Sequence, residues 1–370
     1  MPDSPSMIER LAAARPRRRG ILIALKSVAG CALATPALAH VKWFAPYDVT
    51  HPPLPLGAVF SRHFLLMAAG IAMLVFAGFL LDRLIARSGR VIGGPQGWME
   101  AEERLMRAGI GAFFMALFAM EGVILTPELR TEADWPGWLQ FGIAASMLSA
   151  RSCVLGAAGI LILYGYAVGL YGVFHLADYP MFLGIAAYLA LTAFRTDRVR
   201  AARMPILCAS LCISLMWAAI EKWAYPQWTF PLLQARPYLT LGIPNDTFMI
   251  IAGCVEFALA FHILTGLGLM RLATAALGSL FVAAIFDFGK LDAIGHLPTI
   301  TCLAALFLHG PTPLHHALHD ARRNLLAEAR RGATAFATAI GLFFAAYYGL
   351  HHLEHGVYGP RIAAIAATAR

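Results

Sequence analysis

The sequence predicts an all-α polytopic membrane protein, and three observations carry that prediction. Of 370 residues, 59% are hydrophobic and 14% are charged, with a mean hydropathy of +0.66; a soluble domain carries about 25% charged residues. Several apolar runs approach the ~20 residues needed to cross a bilayer. The arginines gather in alternate short loops, the pattern of segments held on the cytoplasmic side, and about ten transmembrane helices satisfy that rule at every basic loop.

The elements follow in order. Residues 1–39 resemble a targeting segment: Arg15-Pro-Arg-Arg-Arg19 is a positive start, Gly20 to Leu33 is mostly apolar, and Ala37-Leu-Ala39 is an A-x-A cleavage site. Cleavage after Ala39 would make His40 the first mature residue. Lys26 interrupts the apolar run, so an uncleaved first helix is the alternative. Residues 40–104 hold an extracytoplasmic lead, from His40 to Phe60, and a first helix over 62–82. Residues 105–202 form a module with helices at 106–126, 137–150, 153–172 and 180–194. Residues 203–310 form a second module with helices at 205–221, 247–268, 272–288 and 296–309. Residues 311–370 supply a basic cytoplasmic segment, a last helix over 334–352 and an outer tail. Arginines at 83, 87, 104, 107, 198, 200, 203, 330 and 331 fall between helices on the expected inner side.

The two modules share a layout of long helix, outer loop, helical hairpin and returning helix. Glu121 falls against Glu221 and Pro127 near Pro226, which is the pattern of a parallel repeat.

The formal charge of +8 does not indicate a nucleic-acid partner, because no basic stripe is interleaved with aromatics. The implied partner is the lipid bilayer. Cys31, Cys153, Cys208, Cys212, Cys254 and Cys302 lie in apolar segments without a CxxC pair, so neither a disulfide framework nor a zinc knuckle is indicated. No P-loop, GxGxxG, GxSxG or HExxH pattern is present, which leaves nucleotide-driven transport and serine or zinc peptidase chemistry without support.

Ionisable groups deep in apolar helices tend to mark function. Glu256 and His262 stand nearly alone in the run Met249 to Leu267. Buried alone, Glu256 would become neutral; paired with Lys222 or Arg151 it would stay charged. Glu221, Lys222 and Glu256 are therefore the candidate proton-handling groups. Asp287, Lys290, Asp292 and His296 crowd one expected outer turn, and with His175 and Asp178 they would ring the outer mouth. Trp43, Trp135, Trp138, Trp223 and Trp228 fall near the same interface, where an aromatic belt is ordinary; a flat-ring pocket would need some of them facing inward.

Histidines also pattern. His351-His-Leu-Glu-His355 and His315-His-Ala-Leu-His319 share HHxxH spacing, which stacks imidazoles about 5–6 Å apart at Cβ on one helix face and suits a divalent metal. In the outer set His351, His352 and His355 are the candidate ligands, with His40 adding an amine and an imidazole suited to copper. The inner string, followed by basic residues, suits lipid headgroups.

Three features of residues 203–309 resemble the DoxX family of small four-helix membrane proteins: the exit Ile220-Glu-Lys222, the stretch Gly253-Cys-Val-Glu256 onward to Gly266, and the turn Gly268-Leu-Met-Arg271. The resemblance extends weakly over the first module. It implies two four-helix DoxX-like bundles with flanking helices. It also implies a redox-linked role in a bacterial inner membrane, with a quinone or other small molecule handled at the periplasmic face, in contact with a periplasmic redox partner. Copper or zinc handling by the outer histidines is one alternative. A non-catalytic assembly factor for a periplasmic redox enzyme is another.

Overall fold

The computed structural model describes residues 40–88, 97–194, 196–319 and 324–356. The targeting segment expected over 1–39, with Cys31, lies outside the described residues. Among the described residues all regular structure is helical, apart from one isolated bridge between Val123 and Arg130.

Among the described residues nine principal helices follow the apolar runs: α1 (Arg62–Arg87), α2 (Gly97–Met120), α3 (Trp135–Ser146), α4 (Cys153–Leu176), α5 (Pro180–Thr192), α6 (Arg203–Ala224), α7 (Asn245–Thr265), α8 (Met270–His309) and α9 (Leu325–His355). Among the described residues six helices are long and apolar enough to cross a membrane, α1, α4, α6, α7, α8 and α9, while α3 and α5 are too short and α2 falls outside that set. Ser61 caps α1 by accepting from the Phe64 N–H at 3.2 Å, and Asn324 caps α9 by accepting from Leu326 N–H at 2.8 Å, each satisfying an amide the first turn leaves unpaired.

The 40-residue α8 is not a single rod. Gly289 breaks it at φ 75°, ψ −150°, a conformation glycine tolerates without a Cβ penalty. Arg271 Nε donates to the Phe307 carbonyl at 2.8 Å, although a straight helix rising ~1.5 Å per residue would hold them ~54 Å apart. α8 is thus a helical hairpin. The expected helices 272–288 and 296–309 are both there, but the second begins right after Gly289. The expected outer turn over 287–296 is consequently corrected: Asp292 and His296 are helical and buried.

α6 is the centre of the bundle. Of its apolar window 67% is buried, against 17% for α1 and α9. Helices α2 to α5 pack in chain order, as do α6, α7 and α8. The two groups meet along two seams, α5 on α6 and α2 on α8. Small residues let the backbones approach there: a Cβ on Gly184 would lie 1.6 Å from Ser210 Oγ, and one on Gly109 would lie 2.3 Å from Thr301 Oγ1. Close small-residue contact is how helices associate where lipid removes the hydrophobic drive. α1 and α9 pair on the flank.

The arginine-bearing helix ends gather at one end of the bundle. Arg83 meets Glu328 at 3.6 Å, Arg200 meets Glu103 at 2.6 Å, and Arg203 meets Glu102 at 3.4 Å. His309 lies 2.7 Å from Glu102 and Arg107 donates to the Met147 carbonyl at 2.8 Å. The grouping is the one the charge pattern anticipates.

A further expectation is corrected. The helix expected over 106–126 stops at Met120, and Glu121 is exposed with φ 50°. The following loop folds inward because Gln140 donates to the carbonyls of Val123 and Ile124 at 2.6 and 2.9 Å. Glu121 is therefore no counterpart of the helical, buried Glu221. The lead after His40 packs into the bundle, with Val41, Lys42 and Ala45 buried.

Candidate functional site: a buried acid–lysine chamber

The last turn of α6 organises the site. Glu221 and Lys222 are neighbours, so at 3.6 residues per turn their side chains diverge by about 100°. Lys222 turns to α7 and meets Glu256 at 2.5 Å. Glu221 turns to the lead and meets Lys42 Nζ at 2.6 Å. Lys42 also donates to Asp178, in the turn between α4 and α5. The Lys42 side chain is 1% exposed, and the rings of Tyr47 and Trp228 lie 5.7 and 5.6 Å from its ammonium.

Two carboxylates thus share one buried cation. Burial opposes charge on Lys42, yet Asp178 and Glu221 together hold its pKa above the usual lysine range. Burial, reinforced by the charge of Glu221, pushes Asp178 up to about 7. Asp178 thus keeps its proton well above the usual carboxylate range.

A second arm runs through Tyr179. Its hydroxyl donates to Glu128, and His40 Nε2 lies 2.5 Å from the same oxygen. Burial raises Glu128 and Tyr179, while burial and then the neighbouring Lys42 lower His40. Glu128, Tyr179 and His40 form a hydrogen-bonded row in which protons can shift without creating isolated charge.

The third arm is Asp292 with His296, 3.1 Å apart. The imidazole lies between Trp43, at 4.6 Å between ring centroids, and Phe281, at 4.7 Å. Asp292 is fully buried, and neither carboxylate oxygen has a hydrogen-bond partner among the described residues.

All three arms border one cavity of about 60 Å³, walled by His40, Trp43, Asp178, Tyr179, Lys222, Glu256 and His296 among others. It has room for several waters at ~10–15 Å³ each. The structure therefore brings together Glu221, Lys222 and Glu256. The pairing of Glu256 is with Lys222; Arg151 lies in the α3–α4 turn at the arginine-bearing end. Of the tryptophans, Trp223 and Trp228 are buried and Trp43 borders the cavity, while Trp135 and Trp138 are 42% and 68% exposed. A belt explains only the last two.

The outer histidines are not brought to one point. His351 Nε2 lies 3.1 and 3.0 Å from the Val49 and His51 carbonyls, so its N–H holds the lead. His352 is exposed. His355 stacks 5.0 Å from His351 between centroids. Glu354 accepts from the Phe174 N–H at 2.7 Å, where Gly172 breaks α4 at φ 85°. His40 is engaged with Tyr179 instead. Among the described residues no group of three or more His, Cys, Asp or Glu side chains is arranged to hold a metal ion. In the inner string, His315 Nε2 lies 2.7 Å from the Ile263 carbonyl and His319 contacts Arg83.

Sequence reasoning missed Lys42, Glu128 and Tyr179. One signal for Lys42 was present: it is the single cation in the apolar string Val41-Lys-Trp-Phe-Ala45. Tyr179 and Glu128 carry no local signal, since only tertiary contact pairs them. The chain matches no protein-family model, and no curated protein and no solved structure is significantly similar to it.

Proposed function

We propose that this chain is a DoxX-like component of a bacterial inner membrane, with ten crossings in two four-helix modules and flanking helices. It exchanges protons between its outer chamber and a small redox molecule, the quinone class being the first candidate. The single observation that carries this reading is the cavity bordered by the Lys222–Glu256 pair and by Asp178, which shares Lys42 with Glu221. Buried ionisable groups at such depth are costly and persist where protons or ions are handled. A space of about 60 Å³ suits water rather than a ring, so the redox molecule meets the chamber at its rim and is linked to it by proton exchange. Asp178 holds and releases the proton, Lys222 keeps Glu256 compensated and Lys42 does the same for Glu221, and the Glu128–Tyr179–His40 row connects with them.

The test is proton uptake in vesicles containing the protein and a short-chain quinone, started by a chemical reductant and read by an impermeant pH dye. Uptake faster than in protein-free vesicles, slowed to that background by Glu256→Gln with membrane insertion intact, supports the reading. Undiminished uptake in that variant removes Glu256 from the site. Purified protein that carries stoichiometric copper or zinc and no extractable quinone would overturn the redox assignment in favour of metal handling.

A further inference from the structure

A second site lies on the opposite half of the molecule, facing lipid. α1, α7 and the first half of α8 enclose a groove of about 300 Å³, lined by Ile71, Leu74, Val255, Leu259, Leu272 and neighbouring apolar side chains, with His262 the single ionisable group. That volume is at the lower bound of ordinary small-molecule pockets, about 300–1,000 Å³. Leu74 is 68% exposed and Leu272 41% exposed, so the groove opens sideways on the apolar surface rather than toward water.

His262 is 8% exposed. Its Nδ1 lies 2.9 Å from the Ala258 carbonyl, an acceptor, so Nδ1 carries the hydrogen. In a neutral imidazole Nε2 is then a bare acceptor. It is buried and has no hydrogen-bond partner among the described residues. The ring lies 4.7 Å from Phe79 between centroids, nearly parallel to it, which fixes its plane. Gly78 lets α1 pack close beside the imidazole, for a Cβ there would stand 2.9 Å from Nε2. A buried, unpaired acceptor in an apolar wall costs free energy unless a donor reaches it.

We propose that this groove binds an amphiphile through one hydroxyl group, which donates to His262 Nε2 while its apolar chain lies along α1 and α7. His262 is three residues from the end of α7, at the arginine-bearing end of the bundle. The hydroxyl thus sits near headgroup depth, and the chain runs past Leu74 and Ile71 toward the bilayer centre. A free long-chain alcohol and a glycerolipid hydroxyl offer the same chemistry. This site is independent of the outer chamber and of the redox reading.

The test uses purified full-length protein in a detergent that has no hydroxyl groups. Native mass spectrometry compares a long-chain prenyl alcohol with its methyl ether, which differ in the O–H alone. The alcohol should bind about fivefold more tightly, the worth of one ordinary hydrogen bond. His262→Phe should erase the preference while leaving ether binding in place. Gly78→Ala, whose methyl would crowd Nε2, should erase it too while the histidine is kept, which covers the case where the first variant fails to fold. Leu74→Trp, at the mouth, should weaken both ligands. The mass of any lipid that co-purifies with the wild type, and is lost from Leu74→Trp, tells a glycerolipid from a free alcohol. Equal binding of alcohol and ether by the wild type overturns the proposal, as does a preference that survives Gly78→Ala.

Discussion

Lys42→Met is the most informative single change in the chamber. The lysine side chain is 1% exposed and faces two carboxylates, Asp178 and Glu221, themselves 2% and 6% exposed. Methionine fills similar length without charge, so both acids remain buried with their shared cation gone. Removing one partner of a buried ion pair costs about 3–5 kcal/mol, because the surviving charge is left uncompensated. The penalty depends on pH in a definite direction. Without Lys42 the folded protein holds protons on these carboxyls to higher pH than the unfolded chain does, so the unfolded state binds fewer protons and stability falls as pH rises. The loss should be full near pH 8 and shrink toward pH 5. Adding Asp178→Asn and Glu221→Gln removes the stranded charge and should recover most of the loss, since neutral replacement of a buried ionic group is often tolerated. Unfolding in mixed micelles, followed by tryptophan fluorescence, measures all of this. A Lys42→Met protein as stable as wild type at pH 8, or one whose deficit grows on acidification, would refute the reasoning.

Three more outcomes are expected. Asp178, pushed from 3.8 to about 7, should show a protonated-carboxyl infrared band that fades across neutrality and is missing from Asp178→Asn. Its folded pKa is raised, so its stabilising contribution is complete below pH 3.8 and gone above about 7; the stability gap between wild type and Asp178→Asn should narrow over that window. A mutant cycle on Lys222 and Glu256, 2.5 Å apart, should give a coupling of about 1–3 kcal/mol, and additive effects would mean the contact contributes nothing. Reporter fusions after residue 356 should place the tail outside and cysteines near Arg271 should label from the cytoplasm, following the positive-inside bias; the reverse result would put the chamber on the wrong face for the proposed chemistry.

What could be read in the sequence divides by range. The long helices were legible because apolar length is a local property. The Lys222–Glu256 pair was legible because lone charges in apolar helices have few partners to choose from. Residues 289–296 misled, since two glycines with Lys290, Asp292 and His296 look like a loop. Their helix exists because Asp292 and His296 turn to the chamber and Gly295 makes room for Trp43, whose ring would lie 2.2 Å from a Cβ there. The burial of the lead carries only a faint local signal, one lysine in an apolar string; its cause is Asp178 and Glu221, more than a hundred positions later.

The placement of Lys42 has a structural consequence. Asp178 sits just before α5, the last helix of the first group, and Glu221 ends the first helix of the second, so one ammonium bridges one end of the α5–α6 seam. The lead is held there at further points: the Tyr225 hydroxyl donates to the His51 carbonyl at 2.6 Å, and His351 of α9 holds the same carbonyl. The chamber is thus walled by chain segments that meet only when both groups and the lead have docked. Loss of the lead would do more than expose the cavity. It would leave Asp178 and Glu221 facing each other across the seam with no cation between them, and their repulsion would act on the contact that joins the two halves.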